Sequence, residues 1–209
     1  SSSSIAGTTN LLVNYGTYTL MGINSYSGIT QLTNDAVLQF GSNDCSSPNS
    51  VLTLRDYSKL DLNGCLVTIF SLEGSAQTQI VNGGNLAILH GGDFRGAIHG
   101  DSTSLLVSQD ALVLQPYYKN TYAGATTIEK GKLIAGGVHA YSSCSDVLLK
   151  DAAAVLDLNH FDNTIASLSG VGNVHLGSGT LTISHSGSYM QVFQGVISGS
   201  GGVIKKGIG

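Results

Sequence analysis

Residues able to bind a metal or form covalent bonds are few in this chain, which has three cysteines and six histidines among 209 residues. The cysteines stand at positions 45, 65 and 144, and no cysteine–histidine spacing has the pattern of a zinc site. The segments His90-Gly91-Gly92-Asp93 and His99-Gly100-Asp101 are typical of turns, because a calcium-binding nonapeptide array repeats its glycine–aspartate unit in tandem. We therefore predict no metal site and no cofactor.

A catalytic nucleophile is suggested by one segment, Gly100-Asp101-Ser102, which is similar to the nucleophile segment of chymotrypsin-like proteases. That family needs glycine in the residues that follow, to shape the oxyanion-hole backbone, whereas this chain has Thr103 and Ser104. Carboxylates are sparse and stand mostly at turn positions such as Asp56 and Asp162, so no carboxylate pair of a polysaccharide-acting enzyme can be assigned. We predict that the chain is not an enzyme.

The segment best suited to contact a partner is residues 116–122, which has three tyrosines within six residues next to one of only two prolines. This composition is typical of a loop that protrudes from a scaffold. Exposed tyrosines bring a large contact area at low entropy cost. The predicted partner-binding residues are Tyr117, Tyr118, Lys119 and Asn120.

Short alternating runs of apolar and polar residues make up most of the chain, each bounded by Gly, Asn, Asp or Ser. Examples are Val51-Leu52-Thr53-Leu54, Lys59-Leu60-Asp61-Leu62 and Thr180-Leu181-Thr182-Ile183. The period of these runs is two rather than 3.6, so we expect short strands joined by turns. The predicted fold class is all-β.

The sequence repeats itself with a period of about 96 residues. Tyr26-Ser27-Gly28 recurs as Tyr122-Ala123-Gly124, and Leu60-Asp61-Leu62-Asn63 recurs as Leu156-Asp157-Leu158-Asn159. We expect the tyrosines of the repeat to pack on the scaffold and the two asparagines to suit left-handed turns. The repeat predicts two units in a single domain, at approximately 11–104 and 105–198, with the start of a third at 199–209.

A long internal repeat of short strands favours a parallel β-helix over a sandwich or a propeller. One coil takes about 20 residues, so each unit holds four to five coils and the whole chain about ten. Cys45 and Cys65 are 20 residues apart and would be neighbours on stacked coils, where a disulfide could join them. Free thiols are the alternative, and Cys144 would stay unpaired.

Several segments resemble the autotransporter-associated β-strand repeat. Residues 199–207 resemble its opening, residues 122–133 its middle, and residues 165–170 and 177–183 the stretch that links one copy to the next. That repeat occurs in passenger domains of type V secretion proteins, which are right-handed β-helices exported through a C-terminal outer-membrane barrel. The resemblance implies a secreted or cell-surface location. It also implies that a barrel belongs to the full-length protein, and that this fragment does not itself insert into a membrane.

Composition excludes several classes of partner. Charged residues make up 11% of the chain and the net charge is −4, so no basic field attracts nucleic acid. No apolar stretch reaches the roughly 20 residues of a membrane helix. No signal peptide opens the chain, and the sequence begins and ends in mid-pattern, as expected of a fragment.

The predicted function is that of a non-enzymatic virulence factor that binds a host-cell surface protein. In the resembled family this means an adhesin or a growth-factor-like receptor agonist. One alternative is self-association between passengers, which would aggregate bacteria, and a structural stalk is another. A polysaccharide-acting enzyme is the third.

Overall fold

The computed structural model describes residues 4–184 and 191–207, and these residues form a parallel β-solenoid whose coils have three faces. Ten strands or strand segments stack on face 1: β1 (Leu11–Val13), β3 (Thr30–Leu32), β5 (Val51–Leu54), β8 (Ser71–Gly74), the second half of β10 (Gly84–Phe94), the second half of β12 (Thr103–Leu114), β14 (Lys132–Ala135), β16 (Val155–Asp157), β19 (Asn173–Gly177) and β21 (Ile197–Gly199).

Two further faces complete each coil. Face 2 consists of β2 (Thr17–Leu20), β4 (Val37–Phe40), β6 (Lys59–Asp61), β9 (Gln79–Val81), β11 (Ala97–Ile98), and later β17 (Asn163–Ile165), β20 (Thr180–Ile183) and β22 (Gly202–Lys205). Face 3 consists of β7 (Leu66–Ile69), the first halves of β10 and β12, β13 (Thr126–Ile128), β15 (Asp146–Leu149) and β18 (Ser167–Gly170). The strand pairs are parallel, so the predicted fold class is confirmed. The ten levels on face 1 make about nine turns, slightly fewer than the ten predicted.

The core consists of columns of apolar side chains stacked from coil to coil. One such column on face 1 is formed by Leu52, Leu72, Leu112, Leu133, Leu156 and Val174, all at most 1% exposed, and Gly92 takes the level between Leu72 and Leu112. Each buried leucine contributes about 2 kcal/mol through removal of apolar surface from water. Because strands alternate inward and outward residues, the period-two pattern in the sequence directly sets which residues enter these columns.

A glycine makes room for one of the large rings of the core. Phe94 is fully buried and follows Gly74 in the same column of face 1. A Cβ atom on Gly74 would lie 2.4 Å from the Phe94 ring, so no larger residue fits there without moving the ring.

The repeated turns have the conformation expected from the sequence. Asn63 and Asn159 have φ angles of 48° and 46°, in the left-handed region that asparagine tolerates. The Asn63 side chain donates to the Phe40 carbonyl at 3.0 Å, and the Asn159 side chain donates to the Ala135 carbonyl at 3.2 Å. Each turn is thereby fastened to the preceding coil.

The repeat in sequence does not correspond to a whole number of coils. Thr30 lies on face 1, but its sequence equivalent Thr126 lies on face 3. Likewise Leu60 lies on face 2 and Leu156 lies on face 1. A shift of 96 residues therefore advances the chain by four coils and two further faces, which turns equivalent residues to a different side of the solenoid.

The proposed bounds of the units fall inside a strand. β12 runs without interruption across the predicted junction between residues 104 and 105. The two units remain a proposal about sequence relationship, and the coils continue through both as one solenoid. No helix in the described residues is long and apolar enough to cross a membrane.

Candidate functional site

Tyr117 and Tyr118 are among the most exposed aromatic side chains of the described chain, at 67% and 52%. Their rings contact each other edge to face, with centroids 4.9 Å apart and planes at 89°. Lys119 follows and is also exposed. The predicted loop is therefore present, and it places two aromatic rings and one ammonium group in solvent.

The loop stands on face 2 at a level where that face has no strand. Its backbone is tied to the preceding coil, since the Tyr117 amide donates to the Arg95 carbonyl and the Thr121 amide donates to the Ile98 carbonyl, both at 3.0 Å. The tyrosines consequently project from a backbone that is held at both ends.

Asn120 does not belong to the exposed surface, contrary to the prediction. It is 3% exposed, and its side chain accepts from the Ile98 amide at 2.8 Å and donates to the Ala140 carbonyl at 2.7 Å. Both polar ends of the amide are thus used inside the solenoid. The candidate surface is reduced to Tyr117, Tyr118 and Lys119.

A buried hydroxyl network anchors the end of this loop. The Tyr122 hydroxyl lies 2.8 Å from Thr126 Oγ1, which lies 2.8 Å from Ser145 Oγ. Ser145 Oγ in turn donates to the Gly124 carbonyl at 2.6 Å. Burial raises the pKa of Tyr122 to about 12, although its bonds to Thr126 and Ser145 act in the opposite direction.

The same network recurs around Tyr26. Its hydroxyl lies 2.6 Å from Thr30 Oγ1, which lies 2.8 Å from Ser50 Oγ, and Ser50 donates to the Gly28 carbonyl at 2.6 Å. Burial raises the pKa of Tyr26 as well. The expectation that both tyrosines pack on the scaffold agrees with their exposures of 1% and 0%.

Sequence reasoning missed the asparagine that begins this motif. Asn24 accepts from the Ile5 amide at 2.7 Å and donates to the Cys45 carbonyl, just as Asn120 links its two neighbouring coils. The signal was present, because Asn-x-Tyr-x-Gly-x-Thr occurs at residues 24–30 and again at residues 120–126. An asparagine retained at the repeat spacing indicates a structural role for its amide.

The three cysteines are free thiols, so of the two alternatives left open by the sequence the Cys45–Cys65 disulfide is not formed in this structure. Cys45 and Cys65 are buried and Cys144 is exposed. Burial raises the pKa of the Cys65 thiol, which therefore favours its uncharged form. The Cys65 thiol donates to the Phe40 carbonyl at 3.5 Å.

The register of the coils explains why these thiols are apart. The Asp44 amide donates to the Leu66 carbonyl at 3.3 Å, so Asp44 lies beside Val67. Cys45 follows Asp44, so Cys65 is out of register with it on the neighbouring coil. A disulfide requires Cα atoms within about 7 Å of each other, which favours cysteines that are in register.

In the segment Gly100-Asp101-Ser102, the Ser102 hydroxyl makes no hydrogen bond with a histidine in the described part of the chain. The nearby His99 has its Nδ1 atom 2.7 Å from Thr121 Oγ1, and burial lowers the pKa of this imidazole. No group of three or more metal-ligating side chains occurs among residues 4–184 and 191–207.

The chain is similar in sequence to one characterised bacterial protein. It is 31% identical over 213 aligned residues to the adhesin BmaC autotransporter of Brucella suis biovar 1 (strain 1330). The alignment covers 91% of this chain but only 6% of that protein's length. No family model and no solved structure matches the chain.

Proposed function

Because this chain is a β-solenoid homologous to part of an autotransporter adhesin, we place it among the surface-displayed or secreted autotransporter passengers and propose that it is a non-enzymatic adhesin segment. We propose further that its partner is a protein of the host-cell surface. The relative is named an adhesin, and this supports a binding function over a catalytic one.

The observation that carries the proposal is the exposed tyrosine pair on a fixed base. Aromatic side chains presented by a pre-organised backbone bind at low entropy cost, because little freedom remains to be lost. Tyr117 and Tyr118 meet this condition, since the loop is bonded to the preceding coil and anchored by buried Asn120 and Tyr122. Lys119 adds one positive charge beside the two rings.

Cell binding tests this function directly. We expect the purified monomeric chain to bind cultured host cells saturably, and the double change Tyr117→Ala/Tyr118→Ala to weaken binding about tenfold or more, as loss of two contact residues does. Tyr57→Ala is the matched control, because Tyr57 is 54% exposed in a turn after β5. Unchanged binding in the double variant would show that the tyrosine pair is not the contact surface.

The same experiment separates an adhesin from a growth-factor-like agonist. Receptor tyrosine phosphorylation measured on the treated cells would accompany binding if the chain is an agonist. Binding without phosphorylation would indicate an adhesin. Saturable binding that disappears when surface proteins are removed by protease supports a protein partner.

Self-association is a second candidate, favoured by a row of polar side chains that are hydrogen-bonded from coil to coil on face 2. Thr19 donates to Gln39 at 3.3 Å, and Gln39 donates to the buried carboxylate of Asp61 at 3.0 Å. Two solenoids could align such ladders side by side. Sedimentation at rising protein concentration tests this, and a dimer that salt weakens would support it. A monomer throughout would contradict it.

A further inference from the structure

The two arginines of this chain, Arg55 and Arg95, line the same groove, although they are 40 residues apart in sequence. The groove has a volume of about 460 Å³ and runs along the edge of face 1. One of the chain's two glutamates, Glu73, lines it too, together with Asp93. Only 11% of the residues of this chain are charged, so four charged side chains at one groove indicate a binding site for a polar ligand.

The coil register places these groups in two parallel rows. Glu73 pairs with Thr53 on one side and with Asp93 on the other, so the three follow each other from coil to coil. A second row, two residues further along each strand, holds Arg55, Ser75 and Arg95, each amide donating to the preceding coil. With coils about 4.8 Å apart, each row extends for about 10 Å along the solenoid axis.

The charged groups of the groove are largely unused by the protein itself. Arg55 and Glu73 make no ion pair or side-chain hydrogen bond within the described residues. Arg95 lies 3.6 Å from Asp93, beyond hydrogen-bond distance, with both side chains at least half exposed. Donors and acceptors are therefore available to a ligand, and their charges sum to zero.

We propose that this groove binds a neutral oligosaccharide that lies along the solenoid axis. Guanidinium groups only donate, carboxylates only accept, and the exposed hydroxyl of Ser75 does both. A sugar hydroxyl can also donate and accept, so a chain of sugars satisfies both rows without adding charge. A polyanion would be opposed by Glu73 and Asp93, and a polycation by the arginines.

A peptide ligand fits the groove less well. Peptides bound in grooves are anchored by side chains in apolar pockets, whereas here the exposed lining is charged or hydroxylated and Leu54 is completely buried. The proposal is independent of the partner-binding role of the tyrosine pair. The two sites adjoin, however, because the Tyr117 amide donates to the Arg95 carbonyl on the preceding coil.

An NMR titration of the isotope-labelled chain tests the proposal. The probes are cellohexaose, maltohexaose and mannohexaose, with hexagalacturonate and a neutral glycine–serine peptide as the charged and peptide comparisons. We expect at least one neutral hexasaccharide to shift the amide signals of Gly74 and Ser75. Arg55→Gln and Glu73→Gln should each weaken its binding about tenfold, as loss of a charge-assisted hydrogen bond does.

The matched control is Glu129→Gln, which alters the only other glutamate of the chain. Glu129 lies elsewhere, paired with Lys150 at 2.8 Å, and its replacement should leave the affinity unchanged. The proposal is overturned if no neutral hexasaccharide binds at millimolar concentration, or if only hexagalacturonate or the peptide binds. It is equally overturned if Arg55→Gln and Glu73→Gln bind as well as the unaltered chain. Unchanged cell binding by these groove variants would leave the tyrosine surface intact as a separate site.

Discussion

At the scale of the residue, the hydroxyl networks around Tyr26 and Tyr122 have a definite direction. Ser145 gives its one hydroxyl proton to the Gly124 carbonyl, so it must accept from Thr126. Thr126 then accepts from Tyr122, whose hydroxyl is the first donor in this series of hydrogen bonds. A phenolate at this position would stand in an apolar core, and this burial raises the pKa of Tyr122 against the opposing effect of its bonds to Thr126 and Ser145.

This arrangement predicts that the protein loses stability at alkaline pH. The pKa of Tyr122 rises from 10.0 to about 12 on folding, so its contribution is complete below pH 10 and is lost as the pH rises towards 12. Urea unfolding measured at pH 9, 10 and 11 should show a declining free energy of unfolding. Burial raises the pKa of Tyr26 and Tyr141 too, and these add to the decline.

The variant Tyr122→Phe identifies the group responsible. At neutral pH it should cost about 1–2 kcal/mol, because Thr126 loses the hydrogen bond that it accepts. Above pH 10 its unfolding free energy should decline less steeply than that of the unaltered chain. Tyr118→Phe, on the exposed loop, is the control and should change neither quantity. An equal slope for Tyr122→Phe would show that other groups cause the alkaline transition.

At the scale of the element, side-chain amides replace strand pairing where a coil has a loop. Face 2 has no strand between β11 and β17, and the side chains of Asn120 and Asn163 add links between coils there to the backbone bonds of Tyr117 and Thr121. Asn163 accepts from the Tyr141 amide at 3.2 Å and donates to the Gly137 carbonyl at 3.2 Å. An asparagine side chain offers both a donor and an acceptor, so it can stand in for a peptide group of a missing strand.

Removal of one such amide should open the solenoid locally. Asn120→Ala leaves the buried Ile98 amide and Ala140 carbonyl without their partner, at a cost of about 3 kcal/mol. Hydrogen exchange should become faster at the Ile98 amide and should remain unchanged in distant strands such as β5. Asn85→Ala is the control, because Asn85 is exposed on face 3. Unchanged protection at Ile98 would mean that a water molecule replaces the amide.

At the scale of the whole molecule, equivalent loops of the repeat face different directions. Residues 21–23 correspond to residues 117–119 at a shift of 96, and Met21 and Ile23 are as exposed as Tyr117 and Tyr118. The earlier loop, however, stands in the place of a face 3 strand, and the later one in the place of a face 2 strand. A flat partner that contacts one loop cannot contact the other from the same side.

The double change Met21→Ala/Ile23→Ala should therefore leave cell binding within about twofold of the unaltered chain, because residues outside a contact surface contribute little. It is also a matched control for Tyr117→Ala/Tyr118→Ala, since it alters the same position of the repeat. Circular dichroism should show the same strand content in both variants. Equal loss of binding in both would mean that the partner recognises the loop position of each unit rather than one side of the solenoid.

The sequence alone was sufficient for the architecture, because the forces that set it are local and periodic. Alternation at positions such as Leu60 and Leu156 selects inward residues, and glycine and asparagine mark the turns, so the solenoid and the buried tyrosines follow without coordinates. The exposed position of Tyr117 and Tyr118 was also predictable, since polar and aromatic residues beside a proline favour a protruding loop.

Only the tertiary structure decided which residues of different coils meet. Coils range from 18 residues, between Val155 and Asn173, to 23 residues, between Val174 and Ile197, so a sequence spacing does not determine the neighbour of a residue. For this reason Cys45 and Cys65 are out of register at a spacing of 20, whereas Arg55 and Arg95 share a groove at a spacing of 40. Register depends on the lengths of all turns in between, and it becomes fixed only when the coils stack and bury their common core.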